Sequence, residues 1–67
     1  MAATIYSILN RLIGDRDVSE MKCSEARQLV SEFYLEVECA TVGTANKYKV
    51  DSIATAALRN AGLGFFA

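Results

Sequence analysis

Four glutamates, Glu25, Glu32, Glu36 and Glu38, are the densest group of side chains in this sequence that could do chemistry. Glu32 and Glu36 stand four apart, the spacing that makes two side chains neighbours on one helix face. A carboxylate pair does acid–base work when a cleft pushes the two pKa values apart. No histidine is present to share the task, and Arg27 is the one cation within the same stretch. The pattern predicts a solvated acidic helix flank, with a basic partner or a weakly held cation as its functional alternative.

The two cysteines, Cys23 and Cys39, add little. A structural zinc site wants about four nitrogen or sulfur ligands, and two thiols without a histidine do not supply them. No metal or other cofactor is expected. On one helix the two thiols lie about 24 Å apart at ~1.5 Å per residue, whereas a disulfide needs α-carbons within about 7 Å. They are read as small unpaired thiols, with Cys39 able to cross-link two copies on oxidation. Neither has a neighbouring base that would make it a nucleophile. Catalytic residues: none, and the expectation is a protein that is not an enzyme.

Nucleic acid is a second class to weigh. Lys47–Tyr48–Lys49 is the only basic pair with an aromatic between, an arrangement that can contact phosphate and stack a base. The chain as a whole carries a net charge of −1, without the basic excess of a dedicated nucleic-acid binder. A helix-turn-helix aligned on Gly43 puts Lys49 and Ser52 where apolar packing residues belong. The alternative function is therefore a nucleic-acid-associated regulator using the patch around Lys47–Lys49, resting on charge alone.

These residues must be positioned by short elements. The chain has 67 residues, no proline and four glycines, a poverty of breakers that favours helices. Ile5, Ile8, Leu9, Leu12 and Ile13 make one apolar helical stripe. Thr4 is its expected N-cap and Gly14 its stop. Asp17 with Glu20 fits a capping box, and Ser24 with Glu25 offers a second start, so the next helix is expected to begin between Val18 and Glu25 with a short first turn or kink near Lys22. The last helix is expected from Asp51, or from near Thr44, with Val50, Ile53, Ala54, Ala57, Leu58 and Ala61 facing the core. Gly62 followed by Leu63 reads as its stop.

Leu35-Glu36-Val37-Glu38-Cys39 has two readings. It alternates as a strand does, and residues 46–50 alternate too, so an α+β fold with a hairpin pairing about 35–39 with 46–50 is one possibility. In the other, Ala26, Leu29, Val30, Phe33, Val37 and Ala40 form one helical face, and no Gly, Pro, Asn or Asp occurs between Ser24 and Gly43 to end the helix. The helical reading is preferred: an all-α single domain over 1–67, three helices joined by short turns. It leaves Leu35, Cys39 and Val42 as a second apolar stripe at i, i+4 and i+7, opposite the first, where a small bundle should be polar.

The tail Gly62-Leu63-Gly64-Phe65 resembles the carboxylate-binding loop of PDZ domains over four residues, without the sheet such a loop precedes. Phe65 and Phe66 then either cap the core or anchor in a partner. A domain of this size is stable by a narrow margin and needs a staple. With disulfide and metal set aside, association remains. The expected function is a protein–protein interaction module, self-associating and acting on the surface of a larger partner, as viral and mobile-element inhibitors do. Its contact residues would be Leu35, Cys39, Val42, Phe65 and Phe66, and its partner another protein or a second copy. No membrane span or leader is expected, and a cytoplasmic location with reduced thiols is expected.

Overall fold

The computed structural model describes residues 2–43 and 46–66. Three helices, α1 (Ala2–Ile13), α2 (Cys23–Ala40) and α3 (Lys47–Asn60), pack as an elongated bundle of 36 × 19 × 17 Å. Short 3-10 turns at Val18–Glu20 and Gly64–Phe66 precede α2 and follow α3. Among the described residues there is no strand, and no helix is long and apolar enough to cross a membrane.

The helix α1 begins at Ala2, so Thr4 lies inside its first turn and is not the cap that the sequence suggested. Ala2 and Ala3 are strong helix formers and carry the helix back past it. Its stop is as expected. Gly14 has φ +60° and donates its N–H to the Asn10 carbonyl at 2.9 Å, which is the left-handed C-terminal motif. Arg16 then folds back: its guanidinium donates to the Leu12 and Ile13 carbonyls and to Glu25 Oε2 at 2.9 Å. One cation satisfies orphan carbonyls at the negative end of α1 and ties that end to α2.

Asp17 does cap, but it caps the 3-10 turn. Its carboxylate accepts from the Ser19 N–H at 3.0 Å and the Ser19 hydroxyl at 2.7 Å. The helix α2 itself begins at Cys23 behind an extended Lys22 without a side-chain cap, which leaves Ser24 and Glu25 in its first turn. The hydroxyl and N–H of Ser19 hold the Asp17 carboxyl below the usual aspartate value. A carboxyl lowered on folding contributes stability above its unfolded pKa, and the contribution is lost as pH falls through the folded pKa. Ser19→Ala, which removes the hydroxyl and keeps the backbone N–H, should therefore raise the Asp17 pKa toward the ordinary aspartate value in an NMR titration; an unmoved titration curve would mean that the Ser19 hydroxyl does not hold the carboxylate.

The stretch 35–39 is helical, and 47–50 is the first turn of α3, so the hairpin alternative is ruled out. The physical reason is the continuity of one buried face. Ala26, Leu29, Val30, Phe33 and Val37 are all within 5% exposure, and a switch to strand after Phe33 would need a turn residue that the chain lacks before Gly43, whose φ is +83°. Two details differ from expectation. The helix closes at Ala40, where Thr41 turns its N–H and hydroxyl back onto the Val37 carbonyl at 3.0 and 2.6 Å. Ala40 is exposed rather than buried, because it sits in the last turn at an open groove described below.

The helix α3 starts earlier than Asp51. Asn46 is the N-cap, its side chain accepting from the Lys49 N–H at 3.1 Å. Asn caps as well as Asp does, and the earlier start lets Val50 join Ala54, Ala57 and Leu58 in the core. Asp51 is thus an exposed residue of the second turn; Thr44 lies outside the described residues. At the far end, Gly62 (φ +83°) donates to the Arg59 carbonyl and Leu63 to the Leu58 carbonyl at 2.8 Å. That pair of bonds is a Schellman motif, with Leu58 and Leu63 as its apolar lock; both are fully buried. The Tyr6 hydroxyl, accepting from Asn60 Nδ2 at 3.2 Å, links α1 to this end.

The charges at the α2–α3 junction run against the helix dipoles. Glu36 and Glu38 stand near the C-terminus of α2, which has no base in its last turn, and Lys47 and Lys49 stand in the first turn of α3, which has no acid. Each placement is unfavourable alone. Glu38 and Lys47 line the same cavity, so opposite charges from the two helix ends face one space.

Candidate contact surface

Residues of α2 and α1 form an open groove of about 560 Å³, lined by Leu35, Glu36, Cys39 and Ala40 from α2 and by Thr4, Ile8 and Arg11 from α1. Leu35 is 62% exposed and Cys39 is an exposed free thiol. Their exposure follows from the phase of the helix. With Phe33 and Val37 turned to the core, Leu35 at about 100° per residue points away from it. Arg11 forms an ion pair with Glu36 at the rim.

The other sequence-predicted contact residues do not join this groove. The helical stripe ends with Cys39, because α2 closes before Val42 is reached. Val42 is 82% exposed and lines a second cavity, of about 410 Å³, together with Tyr34, Val37, Thr41, Val50 and the charged Glu38, Lys47 and Asp51. Phe65 and Phe66 follow the end of α3. Phe66 packs partly against the core, while Phe65 is 92% exposed and meets the Phe66 ring edge-on at 5.6 Å.

Lys47, Tyr48 and Lys49 all stand exposed on the first turn of α3. Among the acidic residues, Glu25 and Glu36 are engaged by Arg16 and Arg11, and Glu32 and Glu38 are exposed. Among the described residues no cluster of three His, Cys, Asp or Glu side chains gathers to hold a metal. The α1 side of the groove is the part that sequence reasoning missed. Its signal was present: Thr4, Ile8 and Arg11 stand at i, i+4 and i+7, the same rhythm that picked out the stripe on α2.

Comparisons with protein-family models, with curated proteins and with solved structures give no match to this chain.

Proposed function

We propose that the protein is a non-catalytic interaction module whose contact face is the α1–α2 groove, with Leu35 as its apolar anchor. The observation that carries this reading is Leu35 itself, 62% exposed beside Cys39 in the middle of a helix whose core face is already filled. The supports are physical. A branched apolar side chain at an outward helical position gives the monomer nothing that a polar one would not, whereas burial against a partner is worth about 1.5–3 kcal/mol. The groove flanks it with Ile8 and Ala40, so a partner's side chain can seat between two helices.

The two free thiols provide the test. Cys39 lies in the groove, and Cys23 is also exposed, at the other end of α2. A photoactivatable benzophenone on Cys39, in a Cys23→Ser background, should cross-link to a protein in the source-cell extract or to a second copy. The same probe on Cys23, in a Cys39→Ser background, should not. Leu35→Asp should lower the Cys39 yield by roughly 30-fold, the effect of losing an anchor worth about 2 kcal/mol. The helical circular dichroism should stay unchanged, because the side chain is exposed. Equal yields from the two positions, or a yield insensitive to Leu35→Asp, would sink the reading.

A second reading is nucleic-acid contact through Lys47, Tyr48 and Lys49, favoured by the exposure of all three on one helix start. Glu38 and Asp51 beside Lys47 work against it. It requires an affinity that falls steeply with salt.

A further inference from the structure

The contact face proposed above is complementary to itself. Two charged residues line the groove, Arg11 on the α1 wall and Glu36 on the α2 wall. They pair with each other, and the pair is only partly used. One guanidinium nitrogen of Arg11 donates to Glu36 Oε1. A guanidinium has five donors and a carboxylate two oxygens, and among the described residues the rest of them have no other ion-pair partner. Both side chains reach solvent, at 66% and 39% exposure.

A two-fold axis laid along the groove uses what is left. It sets the α1 wall of one copy against the α2 wall of the other, so that each contact occurs twice. Arg11 and Glu36 stand level along the groove, because they touch. The rotation therefore brings Arg11 of each copy to Glu36 of the other. Four charges then alternate around the axis, and a network is the arrangement in which exposed ion pairs count. The same rotation lays Leu35 of each copy over the α1 wall of the other, where Ile8 and the aliphatic stem of Arg11 lie. Such stems cover apolar surface while the charged head stays outside. A foreign partner must bring an acid and a base at this spacing, whereas a second copy brings them by symmetry. A chain of 67 residues also gains from the pairing, since association is one of the usual staples of a domain with a small core.

We infer that the α1–α2 groove is covered by a second copy of this chain in a two-fold dimer, held by Leu35 and by Arg11–Glu36 pairs exchanged between the copies. The inference rests on the reading of this groove as the contact face and adds the identity of its occupant.

The experiment uses the full chain and two charge variants, Arg11→Glu and Glu36→Arg. In a dilution series of the nitrogen-15-labelled parent, the amide signals of Ile8, Leu35, Cys39 and Ala40 should move together as the dimer forms. Each variant alone should associate roughly 10-fold more weakly at low salt, the scale of two exposed ion pairs lost. The difference should shrink at high salt. Both should keep the helical circular dichroism, since the two side chains reach solvent. Mixed one to one, the variants should recover the association of the parent, because one copy now presents two acids and the other two bases. A mixture no stronger than its components would overturn the inference. If the named signals stay still at every concentration, or others move instead, a second copy is not the occupant and the inference falls; the contact face itself is then judged by the Cys39 cross-link to another protein. A dimer that survives Leu35→Asp would overturn both readings.

Discussion

Phe33→Ala should remove about a third or more of the stability of the fold. Phe33 is the largest fully buried side chain, at 0% exposure, and its ring leans on Tyr34 at 5.7 Å. Truncation of a buried Phe to Ala costs about 3–5 kcal/mol, part transfer and part cavity. A domain of this length holds only about 3–10 kcal/mol in total, at roughly 0.05–0.15 kcal/mol per residue. One side chain therefore carries a third or more of the stability. A thermal melt followed by circular dichroism should show the midpoint lowered by at least about 12 °C, or no cooperative transition at all. A midpoint within a few degrees of the parent would mean that the ring does not sit at the centre of the bundle.

The second large effect is expected at a position outside all three helices. Leu63 is fully buried, and its N–H is bonded to the Leu58 carbonyl. Leu63→Ala should cost about 2–5 kcal/mol, as a core leucine does, although the residue lies four positions from the end of the sequence. Gly62→Ala, one residue earlier, should cost less. The added Cβ would stand 3.7 Å from a Val18 methyl, an ordinary contact, so the penalty is that of the left-handed backbone alone, about 1–2 kcal/mol. Chemical denaturation of the two variants orders them. If Gly62→Ala proved the more damaging, the lock would be set by backbone geometry and not by the leucine.

The parts of this fold that were legible from sequence are those in which one physical signal acts alone. The apolar stripe of α1, the buried face of α2 and the glycine stops at Gly14 and Gly62 each follow from periodicity or from a positive φ that glycine alone takes without cost. Helix starts were less legible, because several residues can cap and packing chooses among them. Asn46 prevailed over Asp51 since the earlier start buries Val50. Asp17 spent its carboxylate on a 3-10 turn, and α2 began without a side-chain cap. The candidate site was half legible. Leu35 and Cys39 followed from the phase of α2, but Val42 fell off the stripe when the helix ended at Ala40, and the α1 wall became visible only once α1 was laid beside α2.

The alternation of Leu35-Glu36-Val37-Glu38-Cys39 has a consequence for the chain when it is not folded. Short runs with β-branched and apolar residues at every second position stack readily into cross-β assemblies when they carry little charge. A domain of narrow stability opens often enough to present such a run. Glu36 and Glu38 put a charge between each pair of apolar residues, and in an in-register stack those charges would repeat every ~4.8 Å along the fibre. The glutamates that sit awkwardly at the negative end of α2 thus stand where gatekeeper charges stand in other sequences, and are expected to slow aggregation of the unfolded chain. Replacing Glu38 by glutamine would relieve the helix end and, by the same change, remove part of the repulsion that keeps opened molecules apart.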